Sequence, residues 1–519
     1  MNRGEMIARL ESPKDLWDFI IIGGGATGVG TAIEAASRGH KTLLLEQKDF
    51  GQGTSSRSTK LVHGGVRYLQ QGNISLVLEA LKERGLLLQN APHLVHNLPF
   101  IVPNYDWWES PFYGIGLKLY DVLAGKHGFG DSKLLSKGKT LEHIPTIEQE
   151  GLRGGVIYYD GQFDDARLVI DMAQTAYEQG AALVNYMKVE SLIKKNQLVS
   201  GVIAIDSETG KEYELQAKAV INATGVFADA VRKMDDAGAR DMIVPSQGVH
   251  IILDRSFLPG DSAIMVPHTD DGRVLFAIPW HDRVIVGTTD TKVEAPSLEP
   301  VPLPEEIDFL LEHTARYLTK DPVPEDVLSI FAGLRPLVSF GEDENTAAIS
   351  RDHTLHISGS GLVTITGGKW TTYRRMAQDT VDQATIVAQL DARPSISEHL
   401  QIHGYHQHAD QFGPFSLYGS DAPEIKDLIR QDRKYSEKLH PKLKAVVGEL
   451  VWSVRNEMTR TVEDFLSRRT RSLLLDARAS SEAAPRVAEI MSKELGRKRT
   501  WKKEQIQDYT TLAEKYRLT

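Results

Sequence analysis

The chain has 519 residues, of which 41% are hydrophobic and 25% are charged, and this composition is typical of a globular protein with two or three domains. Its formal net charge of −10 argues against a nucleic-acid-binding protein, because such proteins normally carry a basic surface. The chain has no cysteine, which excludes disulfides, a thiolate nucleophile, cysteine-ligated metal clusters and a flavin linked through cysteine.

The sequence predicts neither a secretory signal nor a membrane span. Residues 1–18 lack an apolar core and a small-residue cleavage site, and no run of 18 apolar residues occurs. We therefore expect a cytoplasmic protein, and the inner face of the cell membrane stays open as its location. The basic segment 493–503 carries Trp501 and could rest on anionic lipid, although a solvated helix end is the favoured interpretation.

Residues 18–46 form the most informative segment, because their pattern is strand, glycine turn, helix, strand and acid. Gly23, Gly25 and Gly28 have the spacing G-x-G-x-x-G, which allows a tight turn, close approach of a pyrophosphate, and packing of the helix on the strand. Glu46 follows Gly28 by 18 residues and is placed to bind a ribose diol. The segment predicts a bound dinucleotide and leaves open whether it is NAD or FAD.

Two further features favour FAD. The polar loop 49–72 is long enough to be functional, and its hydroxyl residues could line a pyrophosphate and a ribityl chain. These residues are Thr54, Ser55, Ser56, Ser58 and Thr59. The turn Ala223, Thr224 and Gly225 ends an apolar strand, where ligands of open α/β sheets bind.

The remaining pattern predicts three kinds of structure in chain order. Helices are expected at 73–89 and 165–180, and alternating strands at 182–223. Strand-like runs within 244–290 suggest an antiparallel sheet, and the chain returns to a strand and then a helix at 355–371. From residue 398 onward the pattern is helical.

Six motifs then occur in a familiar order. They are KLVHGGVRYL, INATG, IPWHDRVIVGTTD, FAGLRPL, GGKWTTYR and EMTRTVEDFLSRRTRSLLLDARA. Together they resemble the FAD-dependent glycerol-3-phosphate dehydrogenases and oxidases, a branch of the D-amino-acid-oxidase-like flavoproteins. The likeness is strongest over residues 16–390.

The resemblance implies an α/β + α fold with three parts. A Rossmann-like FAD-binding domain would comprise 16–90, 151–243 and 345–397. A substrate-binding domain with a mixed or antiparallel sheet would comprise 91–150 and 244–344, and a C-terminal helical domain would comprise 398–519.

The resemblance also implies oxidation of sn-glycerol 3-phosphate to dihydroxyacetone phosphate, with FAD as the cofactor and a quinone as the electron acceptor. Alternatives are an oxidase that uses oxygen and makes hydrogen peroxide, a related amino-acid oxidase, and a flavoprotein without turnover. Peripheral membrane association and a homodimer are left open.

The implied chemistry needs cations for the phosphate and a base for the C2 hydroxyl. The resemblance assigns Arg67, Tyr68, Arg335, Lys369 and Arg374 to substrate binding, since guanidinium groups suit phosphate. It singles out two histidines as candidate bases, because the pKa of imidazole lies near neutral pH. The candidate catalytic residues are His63, His250, Arg335 and Lys369.

The predicted cofactor contacts lie in the glycine turn, the hydroxyl loop, two later strands and a helix start whose dipole would face the flavin. They are Gly23, Gly25, Ala26, Thr27, Gly28, Glu46, Thr54, Ser55, Ser56, Thr59, Lys60, Leu61, His63, Val189, Ala223, Thr224, Gly225, Gly368, Lys369, Thr371 and Thr372. No metal is expected, and His403, His406 and His408 are interpreted as solvated loop residues.

Overall fold

The computed structural model describes residues 1–11, 16–65, 73–107, 109–125, 128–267, 269, 274–339 and 352–518. The helices of these residues are α1 (Arg3–Leu10), α2 (Ala26–Ser37), α3 (Ile74–Asn90), α4 (Glu109–Ala124), α5 (Lys137–His143), α6 (Asp165–Glu178), α7 (Ala228–Asp235), α8 (Pro304–Ala315), α9 (Tyr373–Val387), α10 (Ala422–Gln431), α11 (Val447–Asn456), α12 (Ser472–Leu475), α13 (Ala477–Glu494) and α14 (Arg499–Glu514).

The strands are β1 (Trp17–Ile22), β2 (Thr42–Leu45), β3 (Leu61–Val62), β4 (Val95–Asn104), β5 (Lys133–Ser136), β6 (Gly154–Phe163), β7 (Ala182–Val184), β8 (Met187–Lys195), β9 (Leu198–Asp206), β10 (Glu212–Asn222), β11 (Ile243–Asp254), β12 (Ala263–Val266), β13 (Leu275–Trp280), β14 (Arg283–Gly287), β15 (Thr291–Lys292), β16 (Val327–Val338), β17 (His353–Ile357) and β18 (Val363–Gly367).

The first sheet is the predicted nucleotide-binding sheet. Its order is β17-β18-β10-β1-β2-β7, and every pair is parallel except the antiparallel edge strand β17. Helix α2 packs against α6 and α9. Because helices cover the sheet, its central strands are apolar along their whole length, as the sequence predicts.

Strand β10 explains a change of pattern in the sequence. Its first half pairs with β9 in a hairpin, and there buried and exposed residues alternate from Glu212 to Lys218. Its second half, Ala219 to Asn222, pairs with β1 and is continuously buried. The sequence predicts two strands here, but they are one strand that leaves a half-exposed ribbon and enters a covered sheet.

The second sheet is mixed and largely antiparallel. Its order is β15-β11-β14-β13-β12-β4-β6-β3, with β16 paired to β11 and β5 paired to β6. Only β12 and β4 are parallel among the described pairs of this sheet. The predicted domain boundaries assign β3 and β6 to the FAD-binding domain. In the structure both strands belong to the second sheet, because β6 pairs with β4 over ten residues and β3 pairs with β6.

The C-terminal region is helical, as predicted, and it packs on the second sheet through a shared apolar core. It also meets the nucleotide-binding region through buried ion pairs. Arg468 and Arg469 contact Asp49, and Arg167 contacts Glu457. Among the described residues, no helix combines the length and apolar character needed to cross a membrane.

Candidate active site

The glycine turn after β1 is fixed by backbone contacts. Gly23 has φ +109°, and a Cβ there would lie 2.6 Å from the carbonyl oxygen of Ala223. A Cβ on Gly28 would lie 1.9 Å from the carbonyl oxygen of Gly23. At Gly25 a Cβ would meet only the Ser55 hydroxyl, at 3.1 Å. Gly23 and Gly28 are therefore required by the fold, whereas Gly25 keeps space clear at the start of α2, where backbone N–H groups bind phosphates.

Glu46 ends β2 beside this turn. Its carboxylate accepts hydrogen bonds from the backbone N–H groups of Gly24 at 2.6 Å and of Lys48 at 2.7 Å. Burial raises the pKa of Glu46, while these two N–H groups act in the opposite direction. The carboxylate is thus held in one orientation at the end of the strand, where a ribose would bind.

The hydroxyl loop connects the glycine turn to the start of α9. The Ser55 hydroxyl accepts a hydrogen bond from the N–H of Ala26 at 2.9 Å, and the Ser55 carbonyl accepts one from the Trp370 indole at 2.9 Å. The backbone N–H of His63 donates to the Thr371 hydroxyl at 3.2 Å. Segments that lie more than 300 residues apart therefore form one continuous surface.

The turn after β10 completes this surface. The N–H of Ala223 donates to the carbonyl of Ile22 at 2.9 Å, and the Thr224 hydroxyl donates to Asn222 at 2.7 Å. The Thr366 hydroxyl donates to the carbonyl of Gly225 at 3.4 Å. The carboxyl ends of β1, β10 and β18 thus meet at one crevice with Glu46 at its side, and these residues fit a flavin dinucleotide.

The other predicted cofactor contacts differ in their hydrogen bonds and burial. The Thr54 hydroxyl donates to the carbonyl of Leu334 at 2.6 Å, and the Thr372 hydroxyl donates to that of Lys369 at 3.2 Å. Four of these residues, Ser56, Leu61, Val189 and Ala26, are buried, whereas Thr27, Lys369 and Gly368 are partly exposed.

His250 lies in the middle of β11 and is 2% exposed. Its ring stacks on Phe331 with centroids 4.9 Å apart and lies over Gly287, where a Cβ would be 2.2 Å from the ring. Its Nε2 is 2.9 Å from the Thr59 hydroxyl. Burial, and then the charges of Lys60 and Arg335, lower the pKa of His250 well below its usual value, so the imidazole is neutral at neutral pH.

Arg335 lies next to His250 on the same face of the second sheet. Its guanidinium covers Gly248, where a Cβ would be 2.5 Å from Nη2, and residues 248 and 250 point to the same side of β11. Nη2 donates to the Thr288 hydroxyl and to the Thr289 carbonyl, each at 3.2 Å. The arrangement combines a neutral base with a cation.

The sequence reasoning missed Gly248 and Gly287. Each makes room for one of these two side chains, since any larger residue would collide with Arg335 or His250. Glycine in the interior of a strand often marks such a close approach, and this signal was available in QGVHIIL and VIVGTTD.

The cofactor contact at Lys60 stays a prediction, and the Lys60 side chain is engaged within the protein. The ammonium group is fully buried and donates to Asp165 Oδ2 at 2.7 Å and to the Ser56 carbonyl at 2.8 Å. Ser58 also donates to Asp165, at 2.7 Å. Lys60 therefore shapes the hydroxyl loop from within, because a buried ammonium needs a carboxylate partner.

Substrate binding by Arg374 stays a prediction, and the contacts of this side chain argue against it. Its guanidinium forms a two-point ion pair with Glu83, with distances of 2.8 and 2.6 Å, and it also donates to Gln378 and Ser397. These contacts fasten α9 to α3 and use the donors that a phosphate would need. Arg67 and Tyr68 lie outside the described residues, and His63 is half-buried beside Thr371.

Of the three histidines near residue 403, only His403 belongs to an ion-pair cluster among the described contacts, whereas His406 is partly exposed and His408 is exposed. His403 lies between Glu178, 2.5 Å from Nδ1, and Asp421, 2.8 Å from Nε2. Burial opposes protonation, but the two carboxylates raise the pKa of His403 to about 10. No cluster of three or more side chains with metal-binding chemistry occurs in the part of the chain that the structure describes.

Two family models match the chain. The model described as FAD dependent oxidoreductase matches residues 18–374, and the model described as the C-terminal domain of alpha-glycerophosphate oxidase matches residues 362–506.

Comparison with individual proteins indicates the same family. The mitochondrial glycerol-3-phosphate dehydrogenase of Mus musculus is 42% identical over 95% of this chain and 72% of its own length. That of Arabidopsis thaliana is 39% identical over 95% of this chain and 85% of its own length. The structure of a Bacillus halodurans glycerol-3-phosphate dehydrogenase complexed with FAD superimposes with a TM-score of 0.81 at 30% identity, covering 99% of this chain and 97% of that one. Glycine oxidase from Geobacillus kaustophilus, with a TM-score of 0.54 and 19% identity over 75% of this chain and 99% of that one, shares the fold.

Proposed function

Because the chain belongs to the FAD-dependent oxidoreductases and, within them, to the glycerol-3-phosphate dehydrogenases, we propose that it oxidises sn-glycerol 3-phosphate to dihydroxyacetone phosphate. FAD, when bound, accepts the hydride that leaves C2. The observation that carries the proposal is the pairing of neutral His250 with the Arg335 guanidinium on one face of the second sheet.

His250 and Arg335 have different roles in the proposed reaction. His250 accepts the proton of the C2 hydroxyl, which it can do because its imidazole is neutral. Arg335, together with Lys369, supplies positive charge for the phosphate and for the oxygen at C2. The Thr59 hydroxyl, 2.9 Å from His250 Nε2, fixes the orientation of the ring.

The direct test is anaerobic addition of sn-glycerol 3-phosphate to the FAD-loaded protein. We expect the flavin absorbance to bleach and dihydroxyacetone phosphate to appear in equal amount. Dithionite serves as the positive control for reducible flavin, and glycine and proline test the amino-acid oxidase alternative. If dithionite bleaches the flavin and glycerol 3-phosphate does not, the proposal fails.

The pH dependence tests the role of His250. The second-order rate constant of flavin reduction at low substrate concentration, corrected for ionisation of the substrate phosphate, should stay level as the pH falls through 6.5. This rate constant reports the substrate-free protein, in which the pKa of His250 is lowered from that ordinary value. In His250→Gln the rate should fall by about a hundredfold or more. An acid limb centred at or above pH 6.5 would assign the proton to another group.

The proposed electron acceptor is a quinone in a lipid bilayer. Support comes from exposed apolar residues on α3, on α4 with the turn before it, and on β5. They are Ile74, Leu78, Trp107, Phe112, Ile115, Leu119, Val122 and Leu134 and are called the apolar patch. The four members on α4 are spaced by three or four residues, so they share one face of that helix. Such an exposed face is suited to lie in the interface of a membrane.

The opposite face of α4 reaches the active-site loop. The Tyr120 hydroxyl accepts a hydrogen bond from the N–H of Gly64 at 2.8 Å and donates to Asp160 at 2.8 Å. Gly64 follows His63, which contacts the start of α9. One helix therefore connects the apolar patch to the loop beside the crevice, which supports electron transfer to a lipid-soluble acceptor on this side.

Vesicle binding tests this part of the proposal. The double variant Ile115→Glu/Val122→Glu should bind liposomes at least about tenfold more weakly, because two carboxylates replace the apolar contact. Its reduction of a long-chain quinone in the liposomes should fall, while reduction of a water-soluble acceptor should not. Ile386→Glu is the matched control, since Ile386 is 70% exposed on α9 outside the patch.

Unchanged liposome binding in the double variant would overturn the docking role of the patch. Oxygen uptake with stoichiometric hydrogen peroxide, at a rate that quinones do not exceed, would support the oxidase alternative. A homodimer and a cytoplasmic location remain predictions from the sequence.

A further inference from the structure

A carboxylate next to the glycine turn is held by two arginines of the C-terminal domain. Asp49 is fully buried and lies three residues after Glu46. Its Oδ2 accepts hydrogen bonds from Arg468 Nε and from Arg469 Nη1, each at 2.6 Å, and its Oδ1 is 3.1 Å from Arg469 Nη2. Burial alone would raise the pKa of Asp49, but the charges of Arg469 and Arg468 lower it, so the carboxylate stays ionised.

Both arginines are also anchored in their own domain. Arg468 contacts Asp464 at 2.8 Å, and Arg469 donates to the carbonyl of Glu457 at 2.8 Å. Arg469 is fully buried, and Arg468 is 3% exposed. Their position therefore depends on how the C-terminal domain is folded and docked, and the position of Asp49 depends on them.

Segment 46–51, which contains Asp49, packs against the glycine turn. Gly24 donates through its N–H to Glu46 at 2.6 Å and accepts through its carbonyl from the N–H of Gly51 at 2.9 Å. A Cβ on Gly24 would lie 2.8 Å from Glu46 and 2.9 Å from the ring of Phe50. A shift of this segment would therefore move both the Glu46 carboxylate and the turn.

We propose that Arg468 and Arg469 are positioning residues for the cofactor, which hold segment 46–51 in the shape that binds the adenosine end of FAD. The C-terminal domain then contributes to FAD affinity without touching the flavin. By linkage, FAD binding in turn stabilises the docked C-terminal domain. The inference rests on FAD binding alone and is independent of the identity of the substrate.

The test is the affinity of the apoprotein for FAD and for ADP, measured by titration without any substrate. ADP is included because it carries the adenosine end and no flavin. Asp49→Asn and Arg469→Met should each bind both ligands at least tenfold more weakly than the parent. Arg469→Lys, which keeps the charge and loses the planar fork, should recover part of the affinity.

Arg167→Met is the matched control. Arg167 is equally buried and also joins the two regions, through Glu457 at 2.7 Å. It pairs with Asp171 of its own helix at 2.5 Å and does not contact segment 46–51. We expect it to lower the melting temperature and to leave the affinity for ADP within twofold of the parent. If Arg167→Met weakens ADP binding as much as Arg469→Met, the effect is general destabilisation and the inference is overturned.

Asp49→Asn is a second test, because it keeps the size and shape of the side chain but removes its charge and one of its two acceptor oxygens. If it folds and binds FAD and ADP as tightly as the parent, the inference is wrong even where Arg469→Met fails to fold. A smaller rise in melting temperature on addition of FAD, seen in Asp49→Asn and not in Arg167→Met, would support the inference.

Discussion

The Gly25→Val variant is expected to fold and to purify without FAD. A Cβ at Gly25 meets only the Ser55 hydroxyl, at 3.1 Å, so the fold itself tolerates a side chain there. The valine would instead fill the space at the start of α2 through which the pyrophosphate approaches. We expect FAD affinity to fall by about a hundredfold or more, equivalent to roughly 3 kcal/mol. The flavin-to-protein absorbance ratio and the melting temperature of the apoprotein measure the two effects separately.

Gly28→Val provides the contrast within the same motif. Its Cβ would lie 1.9 Å from the carbonyl oxygen of Gly23, a distance that no adjustment of a side chain can relieve. This variant should fail to accumulate as folded protein. A Gly25→Val protein that retains its full complement of FAD would show that the opening motif does not bind the cofactor.

The local patterns of the sequence were sufficient to predict the nucleotide-binding sheet. The apolar strand, glycine turn, helix and acid of residues 18–46 are encoded within 29 consecutive residues, and the structure has them as β1, α2 and β2 with Glu46 at the end. The same holds for α3 and α6, which begin after Asn73 and Asp164. Such elements are determined by short-range periodicity and capping.

Long-range pairing could not be predicted in this way. The pattern of β6 is compatible with either sheet, and only its pairing with β4 assigns it to the second one. The partners of Arg374 and Lys60 are likewise distant in sequence, since Glu83 is 291 residues and Asp165 is 105 residues away. A family motif identifies such a charged residue, but its partner decides whether the charge is available to a ligand.

The two strand glycines show how the site could be predicted better. Gly248 and Gly287 are poor choices for strand interiors; Gly287 lies within a motif of the sequence analysis, and Gly248 lies two residues before the candidate base His250. The destabilisation that glycine causes inside a strand is offset if the absence of a Cβ makes room for a functional side chain. A glycine in the interior of a predicted strand is therefore a signal of close approach that one sequence alone can provide, although only the structure shows which side chain uses the space.

Arg335→Ala is expected to have the largest effect on turnover. The half-buried guanidinium is held by the Thr288 hydroxyl and the Thr289 carbonyl, so it is oriented before the substrate binds. Loss of a preoriented cation that binds an anionic oxygen costs about 4 kcal/mol, and we expect kcat/KM to fall roughly a thousandfold. The Thr288 and Thr289 contacts of the guanidinium lie outside the crevice at the carboxyl ends of β1, β10 and β18, so the variant should remain yellow. Steady-state rates and the FAD content of the purified protein measure both outcomes.

Arg374→Met separates this effect from the general loss of a buried cation. Arg374 is as well placed in the family motifs as Arg335, but its ion pair with Glu83 only joins α9 to α3. Its removal should lower the melting temperature, because Glu83 loses its partner in a buried site, and should leave kcat/KM nearly unchanged below that temperature. Equal losses of kcat/KM in both variants would mean that the fixed position of α9 limits turnover. Loss of FAD from Arg335→Ala would mean that Arg335 supports the cofactor and does not bind the substrate.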